Sequence, residues 1–268
     1  CFQRQKRMRN TSDEEGARNE TKKLFFRIII AFCKFSVTAD MYPINICMKG
    51  CQAAVFGGGA VALRKLGRLL EEQARVVLVA PELVPELQDL VESLPEDRLV
   101  WHQMTHRDFD WEASRFRLVF AATDSRKVNH EIGQMAHGHG ALVNDITAPE
   151  ECDFQVPARI RRGQLELTAS TGGASPAFAR LLRQDLESRY HEGFGQFLDW
   201  LGEMRRELWR REPDTVKRQG LWRQAMTPEI FNYILDERLE QAKNEIRRKI
   251  GCAGAESSDS SCGDSRKI

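Results

Sequence analysis

The sequence lacks any CxxC pair, and its seven cysteines are scattered and odd in number. Cys1, Cys33, Cys47, Cys51, Cys152, Cys252 and Cys262 therefore suggest neither a disulfide framework nor a structural zinc site, and they fit a reducing cytoplasm. An excess of one charge is missing as well. Forty Lys and Arg face 39 Asp and Glu, for a net charge of +1, so no global basic field points to nucleic acid. No apolar run is fit to cross a bilayer, because the strongest, KKLFFRIIIAFCKF, is short and carries Arg27 and Lys34. Of the six histidines, His102/His106 and His137/His139 form close pairs. Nothing requires a helix to align the first pair, so solvated histidines are preferred to a metal site and no metal is expected.

The two ends differ from the middle. Residues 1–40 combine basic, mixed-charge and interrupted apolar stretches without periodicity, and they read as an unstructured extension. MYPINICMKG offers Met41 as a natural start, and an export signal is the weaker reading. Residues 251–268 are rich in Gly and Ser and read as a disordered tail.

Between the ends, apolar runs alternate with helical periodicity. QAAVF, RVVLVA, RLVFAA and ALVN read as buried strands. AVALRKLGRLLEEQ, PELVPELQDLVESL and SRKVNHEIGQMAHGHG read as helices. This alternation predicts an α/β fold, a Rossmann-type doubly wound parallel sheet over 41–150. After Asn144 the style changes. QLELTAS alternates like a half-exposed strand in a small α+β region over 151–190. From Pro176 to about Arg248 the chain is helical, with Phe194, Phe197, Leu198, Leu201, Met204 and Leu208 on one apolar stripe, which gives a helical domain over 191–250.

The stretch CQAAVFGGGAVALRK places three glycines between a strand and a helix. Gly57, Gly59 and Ala62 match G-x-G-x-x-G/A: a tight turn, a close backbone approach to a pyrophosphate, and close helix–strand packing. The helix start supplies unpaired N–H groups and a positive dipole. Glu82, twenty residues after Ala62, can accept from a ribose hydroxyl and repel a 2′-phosphate, which favours NAD over NADP. The bland alternative is a glycine turn that packs tightly for structural reasons alone.

The segments MYP, GGG-x-VA-x-RK, AATD, CDF-x-VPA and STGG-x-SPA-x-AR, in register from Met41 to about Arg189, resemble the precorrin-2 dehydrogenase family. That family comprises the dehydrogenase module of siroheme synthases and its stand-alone relatives. The resemblance implies oxidation of precorrin-2 to sirohydrochlorin with NAD, in a cytoplasmic homodimer joined through 151–190. It places Ala60, Val61, Pro81 and Glu82 at the cofactor, with Thr123 and Asp124 beside it at a strand end. Some members also insert ferrous iron. The substrate carries eight carboxylates, for which Arg159, Arg161 and Arg162 offer guanidinium groups. Ser170, Thr171, Gly172 and Gly173 offer hydroxyls and an anion nest. The arginines read equally well as a solvated turn, and STGGASP as a helix start capped by Ser175. A phosphorylatable serine of some relatives aligns with Thr171.

One position departs from the family pattern. Where many members read N-V-V-D-x-P, with a proposed acid/base aspartate, this chain reads N-D-I-T-A-P and carries Thr147. Asp145, two residues earlier, lies on the same side of an extended chain and is the candidate replacement, with Thr147 in a hydrogen-bonding role. Asp153 is a second nearby carboxylate. The expected function is therefore NAD-dependent dehydrogenation without metal insertion. The alternatives are a bifunctional dehydrogenase–ferrochelatase and a non-catalytic tetrapyrrole carrier.

Overall fold

A computed structural model describes residues 41–252. The expectations for 1–40 and for the tail beyond Cys252 lie outside the described residues. The chain divides into two compact units, between Gln155 and Val156.

The first unit is built on five parallel strands in the order β3-β2-β1-β4-β5. They are β1 (Gln52–Phe56), β2 (Arg75–Val79), β3 (Leu99–His102), β4 (Leu118–Ala121) and β5 (Leu142–Asp145). Helix α1 (Ala60–Glu71) follows β1, α2 (Pro85–Ser93) follows β2, and α3 (Arg126–Gly138) joins β4 to β5. Phe56 is in register with both Val79 and Ala121, and Ala121 with Asp145. With His102 in register with Val79, all five strands end level, and their loops share one edge of the sheet.

Two differences from the sequence reading concern this edge. The periodic run Pro81–Leu94 is helical only from Pro85. Proline at the first helical position holds Val84 extended, at φ −66° and ψ 152°, and Pro81–Val84 become a loop at the strand ends. Strand β3 carries only LVWH and went unread, because four residues show no clear period.

Each face of the sheet has its own core. Leu66 and Leu69 of α1 and Leu87 of α2 cover one face with Val55, Val76 and Leu78. The other face is covered by α3 and by the irregular connection 103–117, which stands where a crossover helix would. An aromatic cluster fills that place. Trp111 stacks on Phe56 with centroids 5.0 Å apart, and Phe109 meets both rings edge-on at 5.6 Å.

The first unit continues past residue 150 because the segment after β5 is tied down. Arg126, His130 and His137 of α3 pair with Glu150, Glu151 and Asp153 at 2.8, 2.8 and 2.7 Å. Asp153 also exchanges bonds with Val143, accepting its N–H at 2.7 Å and donating to its carbonyl at 2.9 Å. Phe154 sits edge-on to Phe120. The division therefore falls later than a boundary at 150.

The second unit opens with an antiparallel hairpin of β6 (Ala158–Arg162) and β7 (Leu165–Ala169). ARIRR, for which a solvated turn was one of two readings, is thus a strand. Five helices follow: α4 (Pro176–Arg189), α5 (Gly193–Arg211), α6 (Thr215–Ala225), α7 (Pro228–Leu235) and α8 (Leu239–Cys252). The last extends into the stretch expected to be tail. Phe194, Phe197 and Leu208 of the predicted stripe join Ile230, Ile234 and Ile246 in one core, with Leu201 at its margin. The hairpin belongs to this body. A Cβ on Gly195 would stand 2.7 Å from the Arg162 carbonyl, and Arg162 Nε donates to the Tyr190 carbonyl at 3.0 Å. No unit boundary falls at 190.

Truncating Trp111 to alanine removes the ring that replaces a helix. The loss is expected to be about 3–5 kcal/mol of unfolding free energy, as for other buried aromatics. Urea denaturation measures it, and a loss below about 1 kcal/mol would show that the connection is not part of the core.

Candidate active site

The glycine turn is shaped by backbone on two sides. Gly57 has φ +124°, and a Cβ there would lie 2.4 Å from the Ala122 carbonyl oxygen. A Cβ on Gly58 would lie 1.8 Å from the Glu82 carbonyl oxygen, and the Gly58 carbonyl accepts from Val84 N–H at 2.9 Å. A Cβ on Gly59 would meet nothing within 4 Å. The first two glycines are therefore required by the fold, while the third faces open space. Helix α1 begins at this opening with no side-chain cap and no acid in its first turn. Its first N–H groups and positive dipole end are thus available to an anion. Ala62 is fully buried, as close helix–sheet packing demands.

The opening is a cleft of about 930 Å³ at the carboxyl ends of the strands. Gly57, Gly59, Ala60, Val61, Pro81, Glu82, Thr123 and Asp124 all line it, so residues from three separate loops meet there. The sequence reading did not single out Gly58 or the wall formed by Met104–Arg107 with Val128 and Ile132. Gly58 was visible as the middle of GGG, but its role depends on where the 81–84 loop falls. In the wall, His106 and Arg107 both bind Glu131, at 2.9 Å to Oε2 in each case. Hydrogen bonds from His106 first and Arg107 second hold the Glu131 carboxyl below its ordinary range.

The loops after β4 and β5 are joined by polar contacts. Asp145 does not continue an extended run to Thr147. Its Oδ1 accepts from both the N–H and the hydroxyl of Thr147 at 2.7 Å, closing a turn. Both hydrogen bonds of this buried carboxylate fall on Oδ1. Neither Asp145 nor Thr147 lines the cleft, but Ile146 between them does. Behind this turn Cys152 Sγ donates to the Asp145 carbonyl at 3.1 Å, and burial pushes its thiol pKa up. Lys65 donates to Asn144 Oδ1 at 3.1 Å, and burial, with Arg64 and Arg68 nearby, pushes it down to about 8.

The second unit holds the residues proposed for substrate carboxylates. Arg162 is corrected. Its guanidinium is committed to the Tyr190 and Glu187 carbonyls and to Glu192, which bind the hairpin to the helices. Arg161 Nε donates to the Gly163 carbonyl at 3.3 Å, and Arg159 stands opposite Thr168 on β6. In the STGG turn, Gly172 and Gly173 have φ +60° and +84°. The Thr171 hydroxyl bridges the Ser175 backbone, Ser170 Oγ accepts from Gly172 N–H, and Ser175 caps α4. Asp153 serves the strap under α3. Among the described residues no group of His, Cys, Asp and Glu is placed to hold a metal ion.

A doubly wound parallel sheet with a bared helix start at its strand-end cleft defines a Rossmann-type dinucleotide-binding protein. Residues 44–158 match the family described as "Putative NAD(P)-binding", and residues 162–189 match "Sirohaem biosynthesis protein central". The solved structure of SirC, precorrin-2 dehydrogenase, is similar with a TM-score of 0.62 and 25% identity, over 78% of this chain and 100% of that one. The chain is 32% identical to the siroheme synthase of Thioalkalivibrio sulfidiphilus over 216 residues, which are 79% of this chain and 42% of the relative. It is 30% identical to that of Mannheimia succiniciproducens over 212 residues, 79% and 43% of the two chains. The chain thus spans less than half the length of these relatives. No helix among the described residues is long and apolar enough to cross a membrane.

The glycines separate folding from binding. Gly58→Ala is expected to lower the melting temperature, because its Cβ meets backbone that cannot turn aside. Gly59→Ala is expected to keep the melting temperature of the parent and to weaken NAD binding. Thermal denaturation alongside cofactor titration reads both, and a fully stable Gly58→Ala protein would overturn the assignment.

Proposed function

We propose that the chain oxidises precorrin-2 to sirohydrochlorin with NAD as the redox partner. The observation that carries this reading is the uncapped start of α1, bared at Gly59 to a dinucleotide-sized cleft. The N–H groups of Ala60 and Val61 hold the pyrophosphate there, and Glu82 takes a ribose hydroxyl. The exposed Glu82 carboxylate at the mouth disfavours a 2′-phosphate, so NAD binds in preference to NADP. Held at this site by Ala60, Val61 and Glu82, NAD would supply the acceptor for the hydride that leaves the substrate carbon. Thr123 and Asp124 orient the reacting end from the β4 loop.

The second hydrogen leaves as a proton. Asp145, buried behind the cleft-lining Ile146, takes it through a bridging water, while Thr147 holds Oδ1 and so fixes the carboxylate. The second unit carries Arg159, Arg161 and the Ser170–Gly173 turn, groups whose chemistry suits carboxylates.

The test is purified protein with precorrin-2 and either NAD or NADP, following reduced cofactor and sirohydrochlorin together. Turnover with NAD well above that with NADP is expected, and no sirohydrochlorin with either cofactor overturns the reading. Asp145→Asn is expected to cut turnover by about 10²–10⁴ with NAD affinity unchanged. Asp153→Asn is expected to cost far less turnover. Wild-type turnover in Asp145→Asn would remove Asp145 from the chemistry.

We further propose a homodimer formed through the hairpin and α4. Helix α4 has no buried residue, and Phe178 and Leu181 on it are 54% and 60% exposed. The two-stranded β6–β7 sheet also leaves its edges open. Sedimentation at micromolar concentration is expected to give the dimer mass, and Phe178→Glu with Leu181→Arg the monomer mass. A parent chain that sediments as monomer overturns this proposal.

A further inference from the structure

Asn129 lies one turn into α3 and is fully buried. A side-chain amide with no access to water costs free energy unless its donors and acceptor are met. Here they are met by two loops. Oδ1 accepts from the N–H and the hydroxyl of Thr123, at 3.0 and 2.6 Å. Nδ2 donates to the Thr123 carbonyl at 3.0 Å and to Thr147 Oγ1 at 3.2 Å. The Thr147 hydroxyl, accepting from Asn129, turns its own proton to Asp145 Oδ1 at 2.7 Å. One amide therefore links the cleft-lining β4 loop to the turn that holds Asp145.

The needs of the helix do not account for the fourth bond. Ser125 already caps α3 by accepting from Val128 N–H, and the Asn129 N–H already bonds the Ser125 carbonyl at 2.9 Å. The bond to Thr147 reaches across to another loop, and it sets which way the Thr147 hydroxyl points. Without that donor, only the bond to Asp145 orients the hydroxyl, and the turn loses its tie to the β4 loop at Thr123.

We infer that Asn129 is a positioning residue for the dehydrogenation, holding the Asp145–Thr147 turn in register with the cofactor-lining loop at Thr123. The inference rests on the dehydrogenase reading above. It assigns Asn129 no contact with substrate or cofactor, and it acts through Thr147. Misplacing a reacting group by about 1 Å can cost about 10² in rate, and that is the size of effect expected.

The experiment is a cycle of Asn129→Ala, Thr147→Val and the double variant, each assayed for kcat, KM for NAD and melting temperature. Thr147→Val leaves the Asn129–Thr123 contacts intact and matches threonine in shape, so it reports on the link even where Asn129→Ala fails to fold. Thr147→Val is expected to lower kcat by about 10²-fold with KM for NAD unchanged. Asn129→Ala is expected to do the same, and the double variant to lose little more than either single one. A merely structural Asn129 would lower the melting temperature without this non-additive loss in kcat. Wild-type kcat in Thr147→Val, or losses that multiply in the double variant, overturn the inference. A parent chain that turns over no precorrin-2 overturns the dehydrogenase reading and this inference together.

Discussion

The site depends on the closeness of one turn to two neighbouring loops. Gly57 lies against the Ala122 carbonyl at the end of β4, and Gly58 lies against the Glu82 carbonyl beyond β2. Any side chain at either position would displace backbone that is itself hydrogen-bonded beside the turn, through Ala122 N–H to the Phe56 carbonyl and Val84 N–H to the Gly58 carbonyl. The turn is therefore fixed between its neighbours. Gly59, beyond the crowded pair, is left as the only one of the three with open space in front of it. Rigid packing on two glycines creates the opening at the third, and the start of α1 is aimed into it.

The same economy governs the other side of the cleft. The β3–β4 connection supplies no helix, so aromatic rings fill the face while His106 and Arg107 of that connection form the cleft wall. Glu131 of α3 binds both of them and so ties the wall to the helix behind it. At the ends of β4 and β5 the polar groups are buried or half-buried and paired in sequence, from Thr123 through Asn129 and Thr147 to Asp145. Buried polar chains of this kind fix geometry because leaving any member unpaired is costly.

The second unit is built differently. Its core is carried by α5 to α8, while α4 buries no residue and leaves Phe178 and Leu181 exposed. Arg162 shows how charge can mislead in a sequence. Three arginines within four residues suggest a polyanion site, yet one of them serves as a bracket between strand and helices.

Much of this protein follows from local pattern. The alternation of apolar runs with 3.6-residue periodicity determines a parallel sheet, because strands buried on both faces must be continuously apolar. GGG between β1 and α1 determines a phosphate-accepting turn, because the residues and their spacing are local. The cleft-lining residues Gly57, Gly59 and Glu82 were legible for that reason, while Ala60, Val61 and Thr123 came from the family resemblance. Tertiary structure decided the rest. Gly58 matters only because the 81–84 loop leaves the helical pattern and comes to lie on it. Strand β3 exists because β2 offers an edge, not because four residues have a period. Arg162 was drawn away from substrate by carbonyls 25 and 28 residues distant. Asn129 looks like any polar residue in an amphipathic helix, and its meaning arises only where α3 brings it between Thr123 and Thr147. A hydrogen bond between residues far apart in the chain leaves no periodic trace, and only the folded backbone can bring its partners together.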